Sequence, residues 1–388
     1  MSPEVLHLDY NAGAPPDEEA LEVFLRTARA LPGNPSSLHR LGRRARAVLE
    51  DAREEIGALL GTLPRELVFT SGATEANNLA LLGVARAARS LGTPLRLIAS
   101  EAEHPSVLAP LRRLQQEGHP LELLPIGRDA RVREEALAAA LARPGPALLA
   151  LQWAGNETGC LQPLGTAVAG LREDLHLHVD AVQGFGKLPL APELEAASTW
   201  SLSGHKFGAP RGCGLLRVQE GVFLESLQAG GGQERGLRPG TECPAHAAAL
   251  ATALRRALER QEDFARETAS AARALLQVLD REGVEYRSQH PPPGEGLPNT
   301  LSLSFPGTDG RALLLACDAE GLAVSSGSAC ASGAAQPSAV LLAAGLSEAE
   351  ARATLRISFG RPSGATLGEE AGRRLATILR RSYEARKP

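Results

Sequence analysis

The hydrophobic pattern changes period repeatedly between residues 66 and 218. Apolar runs at 66–70, 95–99, 121–126, 147–153, 175–179, 200–203 and 214–218 predict strands. Segments at 106–117, 133–142 and 166–173, between the earlier runs, place apolar residues at helical spacing. Strands alternating with helices predict an α/β domain on a largely parallel sheet, because parallel neighbours need crossover connections of this length. Before this region, a helix is expected from Asp17, whose side chain can cap it. It ends at Leu31-Pro32-Gly33, and a second, Arg/Ala/Leu-rich helix runs to about Leu60. A helix to about Ser90 follows the first strand of the alternating region. After a glycine-rich segment at 230–241, residues 245–282 read as one or two long helices. Strands at 300–305, 322–324 and 355–359, with helices at 310–320, 347–354 and the C-terminal end, predict a smaller α+β domain. The expected division is a large domain over 15–254 and a small domain made of 1–14 and 255–388.

Composition narrows the class of protein without changing this layout. A chain of 388 residues suits two or three domains, and 43% hydrophobic with 22% charged residues is the balance of a soluble globular protein. A formal charge of −4 gives no electrostatic footprint for nucleic acid or an anionic membrane, and no apolar run is long enough to span a bilayer. The first sixteen residues lack the basic and apolar regions of a signal peptide. Five cysteines, an odd number without CxxC spacing, argue against a disulfide framework or a metal site and for a reducing, cytoplasmic setting.

Charge usage singles out one stretch. Of 41 basic side chains only Lys187, Lys206 and Lys387 are lysines. Arginine cannot form an imine or lose its proton near neutral pH, whereas a desolvated lysine can do both. Lys206, in Ser203-Gly204-His205-Lys206 at the end of a predicted strand, is therefore a candidate covalent catalyst; the alternative for this stretch alone is an ordinary surface charge. Four other loops also follow predicted strands. Thr70-Ser71-Gly72-Ala73-Thr74-Glu75 opens a helix, whose N-terminal N–H groups can bind a phosphate, or is simply a tight capped turn. Asp180 closes an apolar strand, where a carboxylate needs a positive partner unless it caps the next turn. His104 and Asn156 lie in the two remaining loops, as ligand contacts or as ordinary turn residues. In a parallel sheet these loops converge on one edge, and ligands of open α/β sheets bind there. Together they supply an anion cradle, a partner for a ring nitrogen, a ring-stacking histidine and an imine-forming lysine, the set a pyridoxal phosphate site needs. Cys330, in a run of Ser, Gly and Ala, has little around it to bury and sits where a nucleophile needs reach. Arg356 in a predicted strand suits a bidentate grip on a carboxylate, or a surface salt bridge.

These motifs resemble the cysteine desulfurases, the class V aminotransferase branch of fold-type I pyridoxal phosphate enzymes, over nearly the whole chain. The matching segments are the stretch 34–43, the stretch 70–78, Val179-Asp180-Ala181-Val182-Gln183, Ser203-Gly204-His205-Lys206, the stretch 232–241, Ser325-Ser326-Gly327-Ser328-Ala329-Cys330 and the stretch 355–361. The resemblance implies that Lys206 carries pyridoxal 5'-phosphate as a Schiff base, Asp180 pairs with the ring nitrogen, Gln183 with the ring hydroxyl, and His104 stacks on the ring. It implies that Ala73, Thr74, Ser203 and His205 hold the phosphate, with Thr241 donated by the other subunit of a homodimer. Asn34, Asn156 and Arg356 then bind L-cysteine, and Cys330 receives its sulfur for an acceptor such as an iron–sulfur scaffold or a thiolation enzyme. No metal, nucleic acid or membrane is implied. The chain departs from the family at Gly13 and Ala14, where a Thr pair is usual, at Gly155, and at Cys243, where Asn is common. Alternatives on the same scaffold are a selenocysteine lyase, another β-eliminating enzyme, or a weakly active sulfur-relay subunit.

Overall fold

The computed structural model describes residues 4–90, 92–292, 294–326 and 337–384. Its central sheet has seven strands in the order Leu67–Thr70, Gly214–Val218, Thr199–Ser203, Leu175–Asp180, Ala147–Gln152, Arg96–Ser100, Leu121–Leu124. All pairings are parallel except the two made by Gly214–Val218, which runs against both neighbours. The strand Ala147–Gln152 is buried throughout, as expected for a central strand covered on both faces. Because only Gly214–Val218 is reversed, the strands ending at Thr70, Ser100, Gln152, Asp180 and Ser203 share one carboxyl edge. Gly214 makes that edge compact: a Cβ there would lie 2.5 Å from the Gly72 Cα. The absent side chain lets the turn after Thr70 lie against the end of the Lys206 strand, since Gly214 faces both Thr70 and Ser203 in register.

The expected elements are present with shifted ends. Asp17 caps the helix Glu18–Ala30, accepting from the Glu19 and Ala20 amides. The helix expected over 166–173 is shorter, Leu164–Ala169, stopped at Gly170. The 245–282 region is two helices, Pro244–Glu259 and Gln261–Arg281, separated at Arg260. The first packs on Glu18–Ala30 and Arg40–Leu60, the second on the terminal helix Ala365–Glu384. Gly368 permits that last contact, because a Cβ there would meet the Ala271 carbonyl oxygen at 2.0 Å.

A second, antiparallel sheet of Thr354–Ser358, Thr300–Ser304 and Arg287–Ser288 forms with these helices a separate apolar core containing Leu8, Leu301, Phe305, Ile357, Phe359, Leu375 and Leu379. The N-terminal segment stitches the two sheets together. Leu6–His7 pairs with Leu322–Ala323, and the Ser358 amide donates to the Leu8 carbonyl. Farther on, the Ala14 and Asp17 amides donate to the carbonyls of His205 and Gly208. Residues 9–14 are thereby laid across the carboxyl edge of the large sheet.

Candidate active site

Lys206 closes a single 3-10 turn, Gly204–Lys206, directly after the strand Thr199–Ser203. The turn aims its amine across the sheet edge, where it donates to the carbonyls of Asn11 (2.7 Å) and Ala12 (3.0 Å). His205, on the same turn, shares a hydrogen bond with the Ser203 hydroxyl (2.9 Å). Burial and the cations of Lys206, Arg211 and Lys187 push its pKa down to about 4, so near neutral pH it is an uncharged hydrogen-bonding ring.

Asp180 is buried and accepts from Asn77 Nδ2 (2.8 Å) and the Val182 amide (3.1 Å). Both donors are neutral, and among the described residues the carboxylate forms no ion pair. Asn77 is itself fixed: its Oδ1 bonds Ser201 Oγ (2.5 Å) and His178 Nε2 (3.0 Å). Its Nδ2 also donates to Ser106 Oγ (2.9 Å). Ser106 in turn orients His104, the cap of the helix Pro105–Gln116, through its amide (3.1 Å) and hydroxyl (2.8 Å), both on Nδ1. Because Nδ1 accepts the amide proton, the neutral ring carries its hydrogen on Nε2. Burial is the main cause holding the His104 pKa below its ordinary value; Asp180 opposes it and Lys206 adds to it.

Arg356 is buried in the small sheet and reaches into the same region. Its Nη2 donates to Asp9 Oδ1 (2.6 Å) and its Nη1 to the Asn156 carbonyl (3.2 Å), while Nε has no hydrogen-bond partner among the described residues. Among the described residues the Asn156 side-chain amide makes no hydrogen bond. The backbones of Ser325 and Arg356 exchange two hydrogen bonds, and Ser338 donates to Glu157 (2.5 Å), the neighbour of Asn156. The chain on both sides of residues 327–336 is therefore tied down beside Asn156 and Arg356. Cys330 lies outside the described residues. Of the other cysteines, Cys160, Cys213 and Cys317 are buried, and burial pushes each thiol up to about 12, which keeps them protonated. Cys243 is exposed, with its pKa lowered chiefly by a hydrogen bond to His246.

At this sheet edge Lys206, Gln183, Asn156 and Arg356 are joined through Asn11 and the Asn156 carbonyl, Asp180 and His104 through Asn77 and Ser106, and His205 to Ser203. Ala73 and Thr74 begin the helix Ala73–Ser90 next to it, and that helix's first-turn N–H groups have no intrahelical acceptor. Asn34 and Thr241 are exposed, and no hydrogen bond ties either to this cluster among the described residues. Four participants carry no role in the sequence reading: Asn11, Asn77, Lys187 and Glu103. Asn77 had a legible signal, a polar residue on the apolar face of a helix, between Ala76 and Leu79. Glu103 is fully enclosed, accepting from the Gln152 amide (2.9 Å) through Oε1 and leaving Oε2 without a partner. Burial, with Asp180 nearby, raises its pKa well above 4.5. The folded state then holds a proton the unfolded chain releases, so this group costs stability progressively as pH rises above about 4.5. Glu103→Gln, isosteric with the neutral acid, is expected to gain on the wild type in thermal unfolding between about pH 5 and pH 8; a gap independent of pH would show that Glu103 is ionised in the fold.

Residues 6–365 match the family described as aminotransferase class-V. The chain belongs to this family. This class-V aminotransferase is 38% identical over 363 residues to the IscS-like cysteine desulfurase of Mycobacterium tuberculosis, covering 92% of each chain. It is 35% identical over 384 residues to the putative cysteine desulfurase IscS 1 of Bacillus subtilis, covering 97% of this chain and 99% of the other. In structure it is similar to a NifS-like protein, with a TM-score of 0.89 and 31% identity over 97% of this chain and 99% of that one. It is also similar to a structure titled SspA in complex with cysteine, with a TM-score of 0.79 and 32% identity over 92% and 99%. Within the class-V aminotransferases the chain therefore lies in the cysteine desulfurase branch, and its cofactor is pyridoxal 5'-phosphate.

The donor set of this class-V aminotransferase fits that cofactor. A buried carboxylate supplied only with neutral donors is stabilised by a protonated ring nitrogen. Unpaired N–H groups at a helix start, beside the Ser203 hydroxyl, suit a phosphate. A lysine amine at the same edge has the chemistry to form an imine. Among the described residues, no helix is long and apolar enough to cross a membrane, and no group of His, Cys, Asp or Glu could hold a metal ion.

Proposed function

We propose that the chain converts L-cysteine to L-alanine and holds the released sulfur as a persulfide on Cys330, for delivery to an acceptor protein such as an iron–sulfur scaffold or a thiolation enzyme. The observation that carries this reading is the enclosed Asp180 carboxylate, without a cation among the described residues, on the same sheet edge as Lys206.

In this reading Lys206 binds the cofactor covalently, Asp180 receives its ring nitrogen, Gln183 its ring hydroxyl, and His104 covers the ring. Ala73, Thr74, Ser203 and His205 hold the phosphate. Thr241 completes that cradle from a second copy of the chain; its exposure in the single chain supports a homodimer. Arg356, with one guanidinium nitrogen unpartnered, and Asn156, with its amide unspent, grip the substrate carboxylate, assisted by Asn34. The two-sheet arrangement supports a large cofactor domain over 15–254 and a small domain of 1–14 and 255–388 that carries Cys330.

Bound pyridoxal phosphate supplies an electron sink conjugated to the substrate amine. Asp180 keeps that sink protonated. Lys206, released when the substrate amine takes its place, removes the Cα proton and later returns one to the product carbon. The Cys330 thiolate attacks the substrate sulfur: the new bond is sulfur to sulfur, and the pair of the broken Cβ–S bond stays with the carbon that becomes the alanine methyl. Three of the other cysteines are excluded as nucleophiles by burial. The anchors at Ser325 and Ser338, on either side of Cys330, lie beside the proposed carboxylate grip and support its access to the substrate sulfur.

Cys330→Ala is expected to keep the visible absorbance of the bound cofactor and to lose sulfide release from cysteine in the presence of a reductant. Undiminished release would move the nucleophile elsewhere, with exposed Cys243 the first alternative.

A further inference from the structure

The chain's scarcity of lysine marks a second position. Lys187 is only 3% exposed, and among the described residues it has no carboxylate within ion-pair distance. Its amine donates instead to two side-chain amides, Gln183 Oε1 (2.5 Å) and Asn11 Oδ1 (3.0 Å). Gln183 and Asn11 are 4% and 1% exposed. The Gln183 amide nitrogen donates to the Asn11 carbonyl (3.0 Å), the same oxygen that accepts from Lys206. Asn11 continues the chain of bonds, donating through Nδ2 to Thr300 Oγ1 (2.8 Å) and the Asn156 carbonyl (3.2 Å).

We propose that Lys187 is a positioning residue that fixes which way the Gln183 amide faces, and with it the N–H that Gln183 offers to the ring oxygen of the cofactor. An ammonium has three donors and no acceptor, so only the oxygen end of an amide can face it. With Oε1 held by Lys187, the nitrogen end must point to the opposite side, where one N–H meets the Asn11 carbonyl and the second is directed to a ligand. Without Lys187 only the Asn11 carbonyl holds the nitrogen end in place, and a flipped amide, nearly equivalent in shape, would turn its oxygen toward a ring oxygen. Burial, then the cations of Lys206 and Arg356, hold the Lys187 pKa well below 10.5. A neutral amine still has two N–H donors, one each for Gln183 Oε1 and Asn11 Oδ1. Stability does not account for such a group, since an apolar side chain of similar volume avoids the cost of burying an amine among neutral partners. Arginine does not substitute for it, because its five-donor fork needs more acceptors than Gln183 and Asn11 provide.

The inference rests on the assignment of Gln183 to the ring oxygen, and the test separates the two. Apo protein is titrated with pyridoxal phosphate for the wild type, Lys187→Met, Gln183→Ala and the double variant, and cofactor affinity is read from absorbance. The pH midpoint of the bound cofactor's visible band is measured as well. Each single variant is expected to bind about tenfold more weakly, the worth of one hydrogen bond. The double variant should bind no more weakly than Gln183→Ala, and Lys187→Met should move the band's midpoint to higher pH while its apo melting temperature stays level or rises. Unchanged affinity and midpoint in Lys187→Met, with Gln183→Ala weakened, would overturn the role of Lys187. So would losses that multiply to about a hundredfold in the double variant, the mark of independent effects. Unchanged binding in Gln183→Ala would overturn the Gln183 assignment, and this inference with it. Lys187→Gln serves if the methionine variant does not fold. Its amide can present either end to Gln183, so it should show the same weakening and midpoint shift, and wild-type values in it would overturn the proposal.

Discussion

Lys206→Ala protein is expected to stay colourless after incubation with pyridoxal phosphate, and its turnover of cysteine to fall by about 10^4-fold or more, the upper range for removing a positioned acid–base group. The residue carries two tasks that no neighbour can assume. In the proposed mechanism it is the covalent attachment point, and its amine is the base at the substrate carbon. Lys187, the second lysine at this edge, is held by Gln183 and Asn11 and is fully enclosed. Lys387 lies outside the described residues. Arginine at 206 should fail as completely as alanine, because a guanidinium neither forms the imine nor gives up its proton. The effect should be confined to chemistry: Lys206 is only half-buried and donates to the backbone carbonyls of Asn11 and Ala12, so thermal unfolding of the apo protein should shift by no more than a few degrees. A persistent yellow band in the alanine variant would show that the attachment is elsewhere.

Asp180→Asn is expected to lower turnover by roughly 10²–10³-fold, the loss found when one preorganised electrostatic group is removed from a closed site. The substitution keeps the shape and removes the charge. It also breaks a fixed pattern of donors. Asn77 must present Nδ2 to residue 180, because its Oδ1 is occupied by Ser201 and His178. The Val182 amide also points at this side chain, so an amide at 180 has two donors facing it and only one acceptor to offer. Cofactor affinity should fall together with turnover. Wild-type turnover in this variant would mean that the ring nitrogen is not held by residue 180.

The edge on which these residues meet was legible from apolar runs alone, because a buried parallel strand leaves a continuous apolar signature and the chemistry sits just past its end. Strand direction was not legible: the run at 214–218 reads like its neighbours, yet Gly214–Val218 is antiparallel. The expected helix over 166–173 stops at Ala169, where Gly170 gives up helical support earlier than the surrounding pattern suggests. Lys206, Asp180 and His104 stood out because each is a polar residue at the end of an apolar run. Asn11 did not, since its partners Gln183, Lys187, Lys206, Asn299 and Thr300 come together only through tertiary structure. Lys187 had a signal that went unused: the rarity of lysine in this chain applies to it as much as to Lys206. Glu103 is the residue before His104, but only its enclosure in the fold raises its pKa.

The most direct test of sulfur transfer is to incubate the purified protein with pyridoxal phosphate and one equivalent of L-cysteine without reductant, then quantify alanine and map persulfide by peptide mass spectrometry. One alanine per added sulfur, with the additional sulfur atom on the Cys330 peptide, is the predicted result. Pyruvate with free sulfide and no persulfide, or a persulfide confined to another cysteine, would contradict it.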